Sequence, residues 1–281
     1  MTTLSGATRL IREMLAVFRY ATTRSALTWF FALLRSLPAV LRDQSLRTAD
    51  AGWYRRGAGF RTPSGVRVTL PGPYTPGARE MYCRNVYLRT GLSMPTTGWV
   101  LDLGANRGLF SVWAACSGAQ AVAVEAQQEY AHEIVALARA NGVDDRVHVE
   151  TALAAGDVQT APQVGVLADD ARWESASHSR GSRPPSVSLD SLMQKYDIHR
   201  VAMLKVDIEG GEFSVFNQED DLSWLASVDQ IALEVHPDFG DVGPLVELLD
   251  RHGFLVELHD NEGRSVTAQD NTVNYAYASR R

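Results

Sequence analysis

The feature that most constrains this chain is a strand, a glycine turn and a helix in succession. An apolar run at 99–103 leads into a turn with Gly104 and Gly108, after which an apolar helical pattern begins. A second apolar strand, at 121–125, ends in Glu125. Small residues let a ligand approach such a turn, and backbone N–H groups at the helix start face it. An acid at the tip of the second strand suits ribose hydroxyls, so the pattern predicts a pocket for a nucleoside cofactor.

The chain after residue 125 continues the alternation of strands and helices. Predicted strands at 147–151, 201–206 and 231–235 are separated by helical patterns, which favours a parallel sheet with right-handed crossovers. Residues 156–186 interrupt this order. They are polar and rich in proline and are interpreted as an insertion that forms a lid over the pocket.

Composition and charge narrow the function classes. With 281 residues and 45% hydrophobic content, the chain can hold one large domain and an appendage. Its net charge of −6 argues against a surface that binds nucleic acid. Cys83 and Cys116 are isolated and lack the spacing of a metal site or a disulfide framework, so a cytoplasmic location is expected.

Residues 1–50 are expected to form a helical extension, and residues 1–47 carry seven arginines against two acids. The longest uncharged run, at 25–34, is too short to cross a bilayer, and the segment lacks a signal-peptide pattern. Two interpretations stay open. The helices either pack on the protein or on a second subunit, as apolar helical faces usually do, or they lie on an anionic membrane surface.

Residues 51–97 are rich in glycine, proline, arginine and tyrosine and are expected to connect the extension to the sheet. Turn residues indicate a brief hairpin at 60–70. Tyr74, Tyr82 and Tyr87 are interpreted as half-buried packing residues, and no site is predicted from them.

Acidic side chains end two of the predicted strands, at 201–206 and 231–235. Because ligands bind at the carboxyl ends of parallel strands, these acids are expected to share one edge of the sheet with Gly104 and Glu125. Carboxylates so close together repel one another unless a cation, Lys205 or a proton relieves the repulsion. The catalytic candidates at this edge are Asp207, Glu209, Glu212, Glu234 and His236.

Together these motifs resemble the FkbM family of S-adenosylmethionine-dependent methyltransferases. The resemblance covers roughly residues 97–278. It rests on Leu-Asp-Leu-Gly-Ala-Asn-Arg-Gly at 101–108, Val-Glu at 124–125, Ser-Leu-Asp at 188–190, Lys-Val-Asp-Ile-Glu-Gly-Gly-Glu at 205–212 and Glu-Val-His at 234–236. One departure is Ala126, where the family pattern leads us to expect proline.

The resemblance implies an α/β, Rossmann-like class I methyltransferase fold. Such a fold has a seven-stranded, mostly parallel sheet with helices on both faces and an antiparallel C-terminal hairpin. The chain then divides into an N-terminal helical extension at 1–50, a connecting region at 51–97 and a methyltransferase domain at 98–281, which contains the insertion at 156–186.

The resemblance also implies S-adenosylmethionine as the cofactor. Gly104 and Gly108 would let the loop approach its amino-acid end, and Glu125 would accept hydrogen bonds from its ribose. Asn106 would either bond the amino-acid end or serve only as a left-handed turn residue. Asp102 is expected to order the loop. The residues expected at the cofactor are Asp102, Gly104, Ala105, Asn106, Gly108, Glu125, Ala126, Asp207 and Ala152, the last of which fits plain core packing equally well.

Methyl transfer to a hydroxyl group needs a base or a metal ion near the acceptor. His236 is the predicted base because its intrinsic pKa lies nearest to neutrality. The alternative is a Mg²⁺ ion held by Asp207, Glu209 and either Glu234 or His236. Glu212 has the alternative role of an acid at the start of the following helix.

The sequence therefore predicts an O-methyltransferase that acts on a hydroxyl of a sugar, glycolipid or natural product. The alternative is a catalytically silent S-adenosylmethionine-binding or membrane-associated scaffold, which the acids at the strand ends argue against. A nicotinamide-dependent oxidoreductase is disfavoured because its G-x-G-x-x-G spacing is absent between Gly104 and Gly108. Membrane contact through residues 1–47, homo-oligomerisation and metal dependence are left open.

Overall fold

The computed structural model describes residues 2–43, 45–54, 56–72, 76–155, 184–217 and 221–281. Tyr74 and residues 156–183, which include most of the predicted lid, lie outside this part of the chain. The α-helices are α1 (Thr2–Tyr20), α2 (Thr23–Asp43), α3 (Arg47–Tyr54), α4 (Leu109–Ser117), α5 (Gln128–Ala140), α6 (Leu189–Lys195), α7 (Glu212–Val215) and α8 (Val242–Arg251). A π-helical turn spans Arg79–Arg84 and a 3₁₀ turn spans Ser223–Ser227.

The strands fall into one large sheet and two small ones. They are β1 (Ala58–Arg61), β2 (Arg67–Leu70), β3 (Trp99–Leu103), β4 (Gln120–Val124), β5 (Val147–Glu150), β6 (Leu153–Ala154), β7 (Ser186–Val187), β8 (Val201–Val206), β9 (Gln230–Glu234), β10 (Phe254–His259), β11 (Ser265–Val266) and β12 (Tyr275–Arg280). β1 and β2 form the predicted hairpin. β6 pairs with β7, which holds the two flanks of the insertion together.

The large sheet has the spatial order β11–β10–β12–β9–β8–β3–β4–β5. Strands β9, β8, β3, β4 and β5 are parallel, and β12, β10 and β11 are antiparallel. This arrangement confirms the predicted α/β fold. The described sheet has one strand more than expected because β11, only two residues long, pairs with Leu258 and His259 at the end of β10.

Helices cover both faces of the sheet. Alternate residues of β3 enter different apolar clusters: Val100 packs in the cluster that contains α4 and α5, whereas Leu101 and Leu103 pack in the cluster that contains α6 and α8. The central strands are therefore apolar along nearly their whole length, as expected of parallel strands buried on both sides.

The strand order reverses between β3 and β8. From β3 the chain proceeds outward through β4 and β5, then returns to place β8 and β9 on the other side. Such a reversal opens a crevice at the carboxyl ends of the strands, which is where ligands bind in open α/β sheets. The loops after β3, β4, β8 and β9 all meet at this crevice.

Gly104 joins the turn after β3 to the end of β8. Its φ angle is +75°, and a Cβ atom at this position would lie 1.7 Å from the carbonyl oxygen of Asp207. The Asp207 N–H in turn donates to the Leu103 carbonyl at 3.0 Å. Only glycine permits this approach, so the residue is required by the sheet itself and not only by a ligand.

The N-terminal helices pack against the same core as the sheet. The Trp29 and Trp53 indoles are fully buried. The Trp29 N–H donates to Asp50 at 2.8 Å, and the Trp53 N–H donates to the Ser25 carbonyl at 2.9 Å. The Trp53 ring meets Phe60 of β1 with ring centres 5.1 Å apart. None of the helices in the described part of the chain is long and apolar enough to cross a membrane.

Candidate active site

Four neighbouring strands end in the predicted site residues. Glu234 ends β9, Asp207 follows β8, the glycine turn follows β3, and Glu125 follows β4. The structure therefore places the predicted cofactor residues and the predicted catalytic residues side by side at one edge of the sheet. The side of β3 and β4 carries the residues expected to hold the cofactor, and the side of β8 and β9 carries the catalytic candidates.

Glu125 organises the cofactor side. One carboxylate oxygen accepts the backbone N–H of Asn106 at 2.7 Å, and the other accepts that of Gln127 at 2.8 Å. Burial raises the pKa of this carboxyl group, although the two N–H donors oppose the shift. Each carboxylate oxygen can accept a second hydrogen bond, so the group retains capacity for the two hydroxyls of a ribose.

Asn106 adopts the left-handed conformation, with φ +48°, and is exposed at the turn. Ala105 is buried, and its N–H donates to the Val124 carbonyl at 2.9 Å. Gly108 precedes α4 with φ +78°, and a Cβ there would come within 2.9 Å of the Ile134 side chain. The turn is therefore fixed against both β4 and α5.

The remaining cofactor candidates lie farther along the same edge. Ala126 is half-buried immediately after Glu125. Ala152 is buried in the apolar cluster of α6 and α8, and its N–H donates to the Glu125 carbonyl at 3.1 Å. Both residues thus flank Glu125.

Asp102 is completely buried. The Ser111 hydroxyl of α4 donates to its carboxylate at 2.6 Å, and the Lys205 Nζ atom lies 3.2 Å from its other oxygen. Asp102 therefore acts on the site through α4 and Lys205, by holding both in position beneath the glycine turn.

Lys205 is the buried cation between the two halves of the site. Its ammonium donates to the Gly104 carbonyl at 2.7 Å and lies 3.6 Å from Asp207 Oδ2. Burial alone would lower its pKa, but the charges of Asp102 and Asp207 outweigh burial and raise the pKa above its ordinary value. The ammonium is therefore charged and offsets part of the repulsion among the acids.

Tyr87 stands between the carboxylates of β8 and β9. Its hydroxyl oxygen lies 2.7 Å from Asp207 Oδ2 and 2.9 Å from Glu234 Oε2. Burial, together with the two acids, raises the pKa of the phenol well above its usual value, so the group stays neutral. A single O–H can donate to one carboxylate at a time, and the second contact is favourable when that carboxyl group carries a proton.

Glu234 is the group suited to carry that proton. Burial, reinforced by the charge of Asp207, raises its pKa to about 7, although the Tyr87 hydrogen bond opposes the shift. The Asp207–Tyr87–Glu234 cluster can therefore gain or release a proton near neutral pH.

His236 is paired with Glu212 rather than left as a free base. The fully buried Glu212 carboxylate contacts the imidazole Nδ1 at 2.7 Å and accepts the His236 backbone N–H at 2.9 Å. Its other oxygen accepts the Gly210 N–H at 2.9 Å. The Glu212 hydrogen bond raises the pKa of His236 to about 9 despite the opposing effect of burial. His236 is therefore cationic at neutral pH, which argues against its predicted role as the base.

Glu209 is the most exposed of the predicted catalytic residues, with 71% of its side chain accessible and φ +53°. Glu209, Asp207 and His236 each offer a ligand atom, and these atoms lie within 4.8 Å of one another. Two carboxylates and an imidazole suit Mn²⁺ or Zn²⁺ better than Mg²⁺, which prefers oxygen ligands.

Tyr87 is not among the functional residues predicted from the sequence. It lies 120 positions before Asp207 and 147 before Glu234, and it reaches them only because its ring packs edge-on against Phe110 of α4 and Tyr275 of β12. No local pattern around Tyr87 distinguishes it from the other tyrosines of the connecting region.

A polar cavity of about 930 Å³ lies on the N-terminal-helix side of the molecule, and none of the five catalytic candidates lines it. It separates α1 and the start of α3 from the loops that follow β10 and precede β12. The backbone carbonyl of Asn274, which lines the cavity, accepts the N–H of Val235 at 2.8 Å, next to Glu234. The charged and amide side chains around it include Arg9, Arg79, Arg84, Asp260, Asn261 and Asn274.

Residues 102–256, more than half of the chain, match the family model described as the methyltransferase FkbM domain. The 31-O-demethyl-FK506 methyltransferase FkbM of Streptomyces tacrolimicus is 26% identical over 212 residues, which cover 63% of this chain and 80% of that protein. The AMB antimetabolite synthetase AmbE of Pseudomonas aeruginosa is 27% identical over 266 residues and 76% of this chain, but the chain spans only 12% of that protein. The solved METTL16 methyltransferase domain aligns with 84% of this chain and 79% of its own, with 12% identity and a TM-score of 0.44.

Proposed function

The chain belongs to the FkbM family of S-adenosylmethionine-dependent methyltransferases, and we propose that it methylates a hydroxyl oxygen of a polar small molecule or glycan. The observation that carries the proposal is the Asp207–Tyr87–Glu234 cluster at the ends of adjacent parallel strands. An alcohol is a poor nucleophile until its proton is removed, and this cluster supplies the acceptor for that proton.

The residues after β3 and β4 would bind the cofactor, and those after β8 and β9 would accept the proton. When bound, S-adenosylmethionine supplies a methyl group on a positively charged sulfur. Glu125 would accept the ribose hydroxyls, and the turn at Gly104 would receive the amino-acid end. On this proposal the Glu234 carboxylate would take the proton of the acceptor hydroxyl as the methyl group is transferred, and the sulfonium of the cofactor would leave as a neutral thioether. Tyr87 and Lys205 hold the carboxylates in place.

We infer that the acceptor enters by way of the polar cavity, which no catalytic candidate lines but whose Asn274 carbonyl accepts the N–H of Val235, next to Glu234. Guanidinium, carboxylate and amide side chains around a cavity of about 930 Å³ favour a sugar or a polyhydroxylated metabolite over an apolar ligand. The name of the Streptomyces relative, a 31-O-demethyl-FK506 methyltransferase, supports oxygen as the atom that is methylated. A sugar, a glycolipid and a natural product all remain compatible with this chemistry.

A divalent cation is the second candidate for activation of the hydroxyl, and the grouping of Asp207, Glu209 and His236 favours it. These residues would hold the ion, which would polarise the acceptor oxygen. We expect methyl transfer to survive dialysis against EDTA, because the carboxylate cluster accepts the proton without a metal. A loss of activity that Mn²⁺ or Mg²⁺ restores would favour the cation instead.

The experiment that tests the proposal uses S-adenosylmethionine with a labelled methyl group. The protein is incubated with the metabolite and glycan fractions of its host, and labelled products are analysed by mass spectrometry for a methyl ether. Glu125→Gln is expected to weaken binding of the cofactor by about tenfold or more, since it removes a charged acceptor. Label found only on nitrogen or carbon would contradict the proposal, as would cofactor binding without transfer to any fraction.

A further inference from the structure

Helices α1 and α2 expose an apolar stripe that the catalytic site does not use. On each helix the residues recur every three or four positions, so they share one face. Eight of the ten large apolar side chains that are exposed in the described chain lie here, each between 42% and 63% accessible. We call them the apolar ridge: Ile11, Leu15, Phe18, Leu27, Phe31, Leu34, Leu37 and Leu41.

The two halves of the apolar ridge are joined by aromatic contacts. The Phe18 ring of α1 lies 6.0 Å from the Phe30 ring of α2, and the Phe30 ring lies 6.1 Å from Phe31. The ridge is therefore one surface across both helices rather than a scatter of single residues, and a continuous patch of this kind indicates an interaction site.

The ridge is not the face by which these helices pack on the protein. The core face of α2 carries Trp29, Leu33 and Val40, which are buried. In sequence they lie between the ridge positions, but they are on the other side of the helix. The helix thus has two apolar faces. One face is buried against the protein, and the ridge is the face that stays exposed and available to a partner.

The exposed charges beside the ridge are mostly positive. Arg12, Arg19, Arg24 and Arg35 are exposed on α1 and α2. The acid of α1, Glu13, points inward and pairs with Arg79. A basic rim beside an apolar stripe is the pattern of helices that lie in a membrane interface.

A groove of about 980 Å³ between α2 and α3 opens beside the ridge. Its lining includes Leu27 and Phe31 of the ridge together with Arg24, Arg35 and Arg56. Hydroxyl groups contribute as well, and none of the described residues that line the groove is acidic. Guanidinium and hydroxyl donors beside apolar side chains match a phosphate headgroup with its acyl chain.

We propose that the α1–α2 face binds the surface of an anionic lipid bilayer, with the apolar ridge inserted at the acyl boundary and the arginines on lipid phosphates. A second copy of the chain fits less well, because a symmetric contact through the ridge would bring the arginines of both copies together. The proposal concerns attachment to the interface and is independent of the acceptor proposed above.

The experiment is flotation of the full chain with vesicles of phosphatidylcholine, with and without phosphatidylglycerol. We expect binding only to the vesicles that contain phosphatidylglycerol, with affinity falling as salt is added. The double change Phe31→Asp and Leu34→Asp is expected to weaken binding by about tenfold or more. Arg24→Gln or Arg35→Gln should each weaken it by about fivefold. The matched control is Leu255→Asp, which changes an equally exposed apolar residue on β10 and should bind as the unchanged protein does.

Failure of the unchanged protein to float with either vesicle would overturn the proposal, as would unaltered binding by the Phe31→Asp, Leu34→Asp variant. A dimer in light scattering that this variant breaks, without vesicle binding, would assign the face to a second copy. Displacement by inorganic phosphate alone would reduce the site to an anion pocket and also overturn it. If the double variant does not fold by circular dichroism, the exposed arginine variants decide the result.

Discussion

At the scale of single residues, the central feature of the site is the Tyr87 hydroxyl, which lies between the carboxylates of Asp207 and Glu234. Tyr87 can donate its one proton to Asp207 or to Glu234, but not to both at once. The protein therefore holds Glu234 in a setting that disfavours its charge and raises its pKa to about 7. A carboxylate poised in this way is a stronger base than an ordinary glutamate, and its charged form carries a cost in stability.

We predict that Glu234→Gln stabilises the protein at pH 8. The folded chain binds the proton of Glu234 more tightly than the unfolded chain does, so its stability falls as the pH rises from about 4.5 to about 7. Glutamine avoids that loss, and the gain at pH 8 should be about 1–3 kcal/mol. Urea unfolding at pH 8 and at pH 4 measures it. The gain should vanish at pH 4, and equal effects at both pH values would contradict the assignment.

Residue-scale features were also the hardest to predict from sequence. The acids at the strand ends were identified because each follows an apolar strand. The role of Tyr87 and the raised pKa of His236 depend on partners far along the chain, since Glu212 lies 24 positions before His236. Such pairings arise from tertiary packing, which local spacing does not encode.

At the scale of elements, the site depends on how closely the strand ends approach. The turn at Gly104 and the end of β8 share a gap too narrow for a Cβ atom. The sequence predicts small residues in this turn because a ligand approaches it. The structure shows a second reason, which is that the Asp207 backbone also lies against the turn. The strand, turn and helix were predictable because their signals are local, whereas the approach of β8 requires the strand order.

We predict that Gly104→Ala destabilises the protein by about 3 kcal/mol or more, because the added methyl group clashes with the Asp207 carbonyl and φ is positive. The matched control is Gly142→Ala. Gly142 has φ +66° but open space where the Cβ would lie, so only the backbone strain of about 1 kcal/mol applies. Denaturant unfolding compares the two, and equal losses would show that the close approach is not decisive.

A second element-scale contact joins the end of β9 to α7 through His236 and Glu212. Because the pKa of His236 is raised to about 9, its stabilising contribution is complete below about pH 6.5 and is lost as the pH rises through 9. We predict that His236→Phe costs about 2 kcal/mol at pH 6 and much less at pH 10. Thermal unfolding across this range measures the difference, and a cost independent of pH would contradict the ion pair.

At the scale of the whole molecule, the N-terminal helices and the sheet share one apolar core. A chain of aromatic contacts runs from Trp29 and Trp53 through Phe60 and Tyr82 to Trp113 of α4, with ring centres 5.1–6.2 Å apart. The parallel sheet was predicted from its alternating pattern. The packing of the N-terminal helices on the sheet could not be predicted, because apolar helical faces are compatible with several partners.

We predict that Trp53→Ala lowers the stability of the whole protein by about 3–5 kcal/mol in a single unfolding transition. The neighbouring Tyr54→Ala, at a side chain 47% exposed, should change stability by no more than about 0.5 kcal/mol. Calorimetry resolves this, and two separate transitions in the Trp53 variant would show that the helices unfold independently of the sheet.

The most direct test of the account is the rate of methyl transfer in a single turnover as a function of pH, with saturating S-adenosylmethionine and the acceptor found by labelling. For the unchanged protein we predict a rate that rises with pH through about 7, where Glu234 loses its proton. Glu234→Gln should bind the cofactor normally, transfer methyl groups about a hundredfold more slowly or worse, and lose this pH dependence. The same rise in rate through pH 7 in the variant would contradict the assignment of Glu234 as the base.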